Sequence, residues 1–186
     1  MSHSSETAPN AGQPQGKPPL GLIEFVALMA TMTSLVALSI DAMLPALLQI
    51  GETLNVDEPH HTHLIVTVFF MGMAFGQMFF GPFADSRGRR LTILIGLFIF
   101  AIGTFVCMSA TNLETMLVGR VIQAFGVSGP RIAAMAIIRD LYVGDAMARV
   151  MSFIMMVFIL VPMIAPMVGQ AVMAFFGWFH IFTLFL

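Results

Sequence analysis

Charged residues are scarce in this chain of 186 amino acids, where Asp, Glu, Lys and Arg together make up 10 % of the sequence. A water-soluble domain of this length needs many charged side chains to cover its surface, so the shortage excludes an ordinary soluble domain. Hydrophobic residues account for 58 %, which is typical of a protein whose solvent is lipid. Each remaining charge is informative, because a charge near the bilayer centre is costly and marks function.

Cysteine is nearly absent, since Cys107 is the only one. An intramolecular disulfide and a paired-thiol metal site are therefore excluded. The sequence also contains no P-loop for ATP hydrolysis, no nucleophile beside a base and no basic stripe with aromatic residues for nucleic acid. His60, His61 and His63 cluster in one loop, but so few histidines in a polar loop rarely bind a metal. We expect no enzyme activity, cofactor, metal or nucleic-acid partner.

Long hydrophobic runs dominate the chain after residue 20. A helix needs about 20 mostly apolar residues to cross a bilayer core of roughly 30 Å, and the chain has five such runs and the start of a sixth. The sequence thus predicts an all-α membrane protein with one transmembrane domain, residues 21–186. Its spans lie approximately at 22–48, 62–82, 91–110, 113–138, 149–172 and, incomplete, 178–186. Residues 1–20 are predicted to form a disordered tail and not a signal peptide, because the apolar run begins late.

The basic residues alternate between the predicted spans. Neither the loop 52–63 nor the turn at Thr111 contains Lys or Arg, whereas the segments 86–90 and 139–149 hold five arginines. These are Arg87, Arg89, Arg90, Arg139 and Arg149. By the positive-inside rule, the basic segments and the N-terminal tail face the cytoplasm. We expect a multi-pass protein of a bacterial inner membrane with a cytoplasmic N-terminus.

The segment after the second span reads GPFADSRGRR, residues 81–90. Glycine allows a tight turn, and an acid and an arginine four residues apart, Asp85 and Arg89, can form a charge-assisted hydrogen bond. With this spacing the segment resembles the G-x-x-x-D-x-x-G-R-[KR] signature of the major facilitator superfamily. Phe83 and Ser86 replace the more usual Leu and Arg. The alternative interpretation is a basic loop that only fixes membrane topology.

The resemblance implies a mechanical role for this segment. In the superfamily an acid at the end of the fourth helix, here Asp140, completes a cytoplasmic latch with the loop between helices 2 and 3. The latch residues are then Gly81, Asp85, Gly88, Arg89, Arg90 and Asp140. They would hold the inward end closed and release it as two halves of a transporter rock. We expect Asp85 and Arg89 to need helix ends from a second half.

Within the fourth span, the order of Arg120, Gln123 and Gly126 resembles the helix 4 motif R-x-x-Q-G-x-G of the same superfamily. Ala124 stands in place of the first glycine. Because glycine lets a neighbouring helix approach closely, this replacement is expected to limit that approach.

Asp41 and Arg120 each lie ~10 Å below the outer end of their span, at 1.5 Å per residue. We hypothesise that they face a common cavity, where each offsets the desolvation of the other and the carboxylate carries a proton. In the alternative, Asp41 only ends a short first helix near Pro45 and lies in water.

Arg131 follows Arg120 by eleven residues, which places it within ~20° of the same helix face and ~16 Å deeper. With Gln123, the two arginines are predicted to form the polar lining of a cavity for a small-molecule substrate. In the alternative, the Arg131 side chain extends toward the cytoplasm.

The fifth span contains VPMIAPMVGQ, residues 161–170, in which Pro162, Pro166 and Gly169 resemble the G-x-x-x-G-P-x-x-G-G motif of proton antiporters. Ala165 and Gln170 replace two of its glycines. Proline frees a backbone carbonyl and bends a helix, and small residues let a partner pack closely. We interpret the three residues as a hinge.

Together with DAMLPAL at 41–47 and FFGW at 175–178, these motifs most resemble the bicyclomycin-resistance type of multidrug exporter over residues 22–186. The resemblance implies the N-terminal six-helix bundle of a twelve-helix major facilitator fold. It also implies efflux of amphipathic, drug-like small molecules in exchange for protons by alternating access across the lipid bilayer.

The sixth span is short: its nine or so residues reach only ~13 Å at 1.5 Å per residue. We therefore expect the chain to be a fragment whose partner is a missing C-terminal half. Three alternatives stay open, namely a truncated product that does not transport, a half-size protein that forms a homodimer, and an uptake transporter for a metabolite on the same scaffold.

Overall fold

The computed structural model describes residues 21–54 and 62–185. These residues form helices and connecting turns without strands, so the predicted all-α fold is confirmed. The helices are α1 (Leu22–Asp41), α2 (Leu47–Thr53), α3 (Leu64–Arg87), α4 (Arg89–Met108), α5 (Leu113–Leu141), α6 (Gly144–Phe176) and α7 (Phe179–Leu184). A 3₁₀ turn at Leu44–Ala46 joins α1 to α2. The predicted disordered tail, His60 and His61 lie outside the described residues.

Within residues 21–54 and 62–185, five segments are long and apolar enough to cross a membrane. They are Leu22–Thr53, which combines α1 and α2, and the four helices α3 to α6. Large apolar side chains such as Phe75, Phe98 and Ile159 are exposed on the outside of the bundle. In water this surface would be unfavourable, but hydrocarbon solvates it and the helices satisfy their own backbone groups. The chain is therefore a multi-pass membrane protein.

The basic segments are more helical than the hydropathy pattern suggests. α3 continues through Pro82 to Arg87, and only Gly88, with φ of 90°, separates it from α4. Glycine takes this positive φ at little cost, which allows the one-residue connection. Between α5 and α6 only Tyr142 and Val143 are not helical. The hydropathy pattern marks the ends of the apolar runs, which correspond to the edges of the hydrocarbon core. The helices continue into the polar layer because their backbone hydrogen bonds form equally well there.

α5 is the central helix of the bundle, with α3 and α4 against one side and the pair of α1 and α6 against the other. Close approach depends on glycine: a Cβ built on Gly72 of α3 would lie 2.7 Å from the carbonyl oxygen of Val121. The same Cβ would lie 3.1 Å from the Cβ of Ala124. Gly72 thus supplies the space that Ala124 takes up, and the predicted loss of close packing at Ala124 does not occur.

One end of the bundle carries the arginines of the α3–α4 and α5–α6 connections, and we call it the basic end. Near it, Phe25 of α1 packs on Tyr142 with ring centroids 5.5 Å apart, within an apolar cluster that joins α1, α5 and α6. α1 and α3 barely contact one another among the described residues. A cleft therefore runs between α3 and the α1–α6 pair, with α5 as its floor.

Candidate functional site

The first spanning segment is broken beside Asp41. α1 ends at Asp41, and Pro45 lies in the first turn of the 3₁₀ segment that follows. Proline has no N–H to donate and disfavours a helical conformation in the residue before it, which accounts for the interruption. The Asp41 side chain is half-buried and forms no hydrogen bond or ion pair with any residue that the structure describes. The helix does end there, as the alternative interpretation expected, but Asp41 is not fully exposed.

Arg120 lies in the core of the bundle and is 2 % exposed. Its Nη1 donates to the backbone carbonyl of Ser39 at 3.2 Å and to Oε1 of Gln123 at 2.8 Å. Gln123 in turn donates from Nε2 to Oγ1 of Thr104 at 2.9 Å. A continuous hydrogen-bonded chain therefore connects α1, α5 and α4.

The carbonyl that Arg120 binds belongs to the unsatisfied C-terminal end of α1. The N–H of Ala42 bonds to Leu38 and the N–H of Met43 bonds to Ile40, so Ser39 lacks its usual donor four residues ahead. The last carbonyls of a helix need outside partners, and a cation is favourable at this end of the helix dipole. Arg120 therefore acts as the cap of the broken helix α1.

Aromatic rings provide the remaining surroundings of the guanidinium. Its central carbon lies 5.4 Å from the ring centroid of Phe69 and 5.3 Å from that of Phe182. Cation–π attraction of this kind offsets part of the desolvation cost of a buried cation. The Arg120 Nε has no hydrogen-bond partner among the described residues. The site thus contains a buried positive charge that no carboxylate of a described residue neutralises.

The hypothesis that Asp41 and Arg120 offset each other's desolvation is wrong for this conformation. No ion pair within 4 Å joins them among the described residues. Arg120 reaches the backbone of Ser39, two residues before Asp41, and side chains two residues apart on a helix point about 200° apart. Arg120 therefore contacts the end of α1 at Ser39 and not at Asp41.

Gly169 of α6 packs directly on the break in α1. It is buried, and a Cβ built on it would overlap the carbonyl oxygen of Ala42. Pro162 and Pro166 lie inside the same helix, which remains one element from Gly144 to Phe176. Of the three residues predicted as a hinge, Gly169 is the one that contacts Ala42, the residue that follows Asp41.

The latch residues meet at the basic end. Arg89 donates from Nη1 to Oδ1 of Asp85 at 2.6 Å and from Nε to Oδ2 of Asp140 at 3.2 Å. These contacts join the ends of α3, α4 and α5 within this chain, so the expectation that they need a second half is wrong. Gly88 provides the turn between α3 and α4, whereas the Arg90 side chain is exposed and outside the cluster.

Arg131 occupies the cleft beside the latch. It is half-buried and lines a cavity of about 320 Å³ between α3 and α5, together with Gln77, Gly81 and Arg139. Its only hydrogen-bond partner among the described residues is the sulfur of Met73, at 4.0 Å. Arg120 and Arg131 lie on one helix, as predicted, but the first is sealed in the core and the second opens into the cleft.

Sequence reasoning did not find Ser39, Thr104 or Ala42 as members of the site. Ser39 and Ala42 contribute backbone carbonyls, which no residue type reveals. Thr104 could have been noticed as a hydroxyl inside an apolar span. Among the described residues, no group of three or more His, Cys, Asp or Glu side chains is close enough to hold a metal ion.

Comparison with known proteins gives consistent similarities. The profile of the Major Facilitator Superfamily matches residues 26–186. The chain is 35 % identical over 158 residues to a bicyclomycin resistance protein homolog of Haemophilus influenzae, covering 85 % of this chain and 39 % of that protein. It is 32 % identical over 171 residues to the uncharacterized MFS-type transporter YdgK of Bacillus subtilis, covering 91 % and 42 %.

A third similarity is to the multidrug resistance protein MdtL of Vibrio parahaemolyticus, with 34 % identity over 145 residues, or 78 % of this chain and 36 % of that protein. In each case the matched part of this chain spans less than half the length of its relative.

Proposed function

The chain belongs to the Major Facilitator Superfamily, and we propose that it is the N-terminal half of a transporter that exports amphipathic small molecules in exchange for protons. Relatives named for bicyclomycin and multidrug resistance support export. Matches to only 36–42 % of the length of these relatives support a second, C-terminal half. As part of a transporter, the chain would catalyse no covalent chemistry.

The position of Asp41 is the observation that carries the proposal. In the described spanning segments, every other Asp or Glu lies within three residues of a segment end, whereas Asp41 lies well inside Leu22–Thr53. Placing an acidic residue this deep in a membrane costs free energy, so such a residue indicates a functional site. Having no partner among the described residues, its carboxylate is free to take up a proton.

The surroundings of Asp41 connect protonation of its carboxylate to the packing of α1 against α6. A carboxylate at the C-terminal end of α1 is disfavoured by the helix dipole, and the Arg120 cap counters this effect. Protonation removes the negative charge next to Ala42, the residue that Gly169 contacts. We infer that protonation shifts α1 relative to α6 and that substrate competes with the protonated state.

The latch would follow this shift at the other end of the bundle. Its two ion pairs are partly exposed, and exposed pairs contribute only about 0–1 kcal/mol each. Such contacts are weak enough to open and close during alternating access. With the arginines of the basic end in the cytoplasm, the N-terminus also lies there.

Everted vesicles from cells that make the complete transporter test this proposal. Export then appears as accumulation of a fluorescent amphipathic dye in the vesicle lumen, driven by an acid interior. We expect accumulation that a protonophore abolishes. Accumulation that resists the protonophore would contradict proton coupling, and dye movement out of the vesicles would favour an uptake transporter instead.

A further inference from the structure

The cavity between α3 and α5 is built by two facing rows of residues. Gln77, Gly81 and Asp85 are spaced four apart on α3, and Arg131 and Arg139 are eight apart on α5 with Met135 midway. Residues spaced four apart lie on one helix face, so each row presents its side chains to the cavity. At Gly81 a Cβ would have no atom within 4 Å, so the missing side chain contributes to the open space.

The charges around this cavity do not cancel. Arg89 is occupied by both Asp85 and Asp140. Arg131 and Arg139 form no ion pair with any described residue, and the third basic group facing the cavity is Arg89 itself. A guanidinium presents five donors in a planar fork that matches a carboxylate or a phosphate. Two cations with unused donors therefore face one space.

An apolar space lies on the other side of Arg131. A cavity of about 50 Å³ is lined there by Thr33, Ile154 and Phe158, among others, and Met135 borders both cavities as Arg131 does. Methionine and aromatic side chains accommodate varied apolar shapes. Arg131 thus lies between the larger cavity, which is lined by arginines, and the smaller, apolar cavity.

We propose that Arg131 and Arg139 bind the anionic group of the substrate, and that the transported molecules are compact organic acids with a carboxylate or phosphate on an apolar body. The carboxylate or phosphate occupies the larger cavity, between α3 and α5. The apolar body of the molecule packs on Met135 toward the smaller, apolar cavity. This inference rests on the proposed function, because it names the substrate class of that transporter.

Equilibrium binding to the complete transporter, purified in nanodiscs of phosphatidylcholine, tests the inference. The probes are 1-naphthoate, 1-naphthyl phosphate and the neutral 1-naphthamide, which share one apolar body. We expect the two anions to bind at least tenfold more tightly than the amide. Equal affinity of all three probes, or no binding of either anion, would overturn the inference.

Two variants locate the anion site. Arg131→Gln is expected to weaken binding of both anions at least tenfold and to leave naphthamide unchanged. Arg149→Gln is the matched control, because Arg149 is an exposed arginine that does not line the cavity. An equal loss in both variants would assign the effect to general surface charge and overturn the site.

Further variants separate loss of the site from loss of the fold. Arg131→Lys keeps the charge and is expected to retain part of the anion affinity, whereas Gly81→Leu fills the cavity without changing any charge and is expected to abolish it. Thermal unfolding of each variant shows whether it is folded. Retention of full anion affinity in folded Gly81→Leu would contradict binding in this cavity.

Two other results have separate meanings. If phosphatidylglycerol in the nanodisc abolishes naphthoate binding competitively, the site belongs to an anionic lipid headgroup and the substrate assignment fails. Proton-driven dye export without anion binding would overturn this inference alone, whereas anion binding without proton-driven export would overturn the proposed function alone.

Discussion

Arg120 is accommodated inside the bundle without a carboxylate because three kinds of neutral group surround it. The carbonyl of Ser39 and the amide oxygen of Gln123 accept its hydrogen bonds, and the rings of Phe69 and Phe182 face its charge. Removing one member of a buried charged network leaves its partners without hydrogen bonds and out of reach of water. This costs more free energy than replacing the whole network with apolar residues. Single residues in this network therefore matter more than exposed charges do.

Replacing Gln123 with Leu should destabilise the protein. The change removes an acceptor from Arg120 and the donor to Thr104, and loss of a hydrogen bond to a buried charge costs about 2–3 kcal/mol. We expect a clear fall in the unfolding temperature of the purified chain in detergent. Gln170→Leu, at an exposed position on α6, should leave that temperature unchanged. Equal unfolding temperatures for the two variants would show that the network contributes no stability.

At the scale of helices, α6 and the broken α1 are coupled through one close contact. Gly169 approaches the backbone of Ala42, which cannot move aside as a flexible side chain could. Movement of α6 therefore acts on the end of α1 where Asp41 and the Arg120 cap lie.

Gly169→Ala tests this contact. The added methyl group overlaps the Ala42 carbonyl, so the two helices must separate, and overpacking of this kind costs about 1–3 kcal/mol. We expect a lower unfolding temperature and loss of proton-driven dye accumulation. Gly21→Ala adds the same methyl group at the start of α1, where the nearest atom, Oε2 of Glu24, lies 3.9 Å away, and should change neither property. A fully active and stable Gly169→Ala would contradict the coupling.

The latch joins the ends of three helices through exposed ion pairs. We therefore expect it to affect the rate of transport more than the stability of the fold. In Arg89→Gln the contacts to Asp85 and Asp140 are lost, and we expect several-fold slower dye accumulation with an unfolding temperature close to that of the wild type. Arg90→Gln removes an equal charge outside the cluster and serves as the control. Identical transport rates in both variants would argue against a latch.

For the whole molecule, hydropathy was sufficient to predict an all-helical membrane fold, and the resemblance of its motifs to a known family indicated the major facilitator type. Spacing also indicated the approach of Asp85 to Arg89, and the structure achieves it across the one-residue connection at Gly88 between α3 and α4. The cap of α1 was beyond sequence reasoning, since Arg120 and Ser39 are 81 residues apart in the chain and a backbone carbonyl has no residue signature. The same is true of Gly169 on Ala42.

Membrane orientation can be measured with two exposed positions at opposite ends of the bundle. In a Cys107→Ala background, Ser86→Cys lies at the basic end and Thr111→Cys in the turn between α4 and α5. The positive-inside rule predicts that an impermeant thiol reagent labels Thr111→Cys in spheroplasts and Ser86→Cys in everted vesicles. The reverse pattern of labelling would place the N-terminus outside the cytoplasm.

The central claim, that Asp41 carries the exchanged proton, is tested most directly by comparing substitutions at this position in everted vesicles of the complete transporter. Dye accumulation is measured with and without an imposed pH gradient, acid inside. Asp41→Asn should accumulate no more dye with the gradient than without it, and Asp41→Glu should keep part of the response because it keeps a titratable carboxylate. Full gradient-driven accumulation in Asp41→Asn would contradict the account.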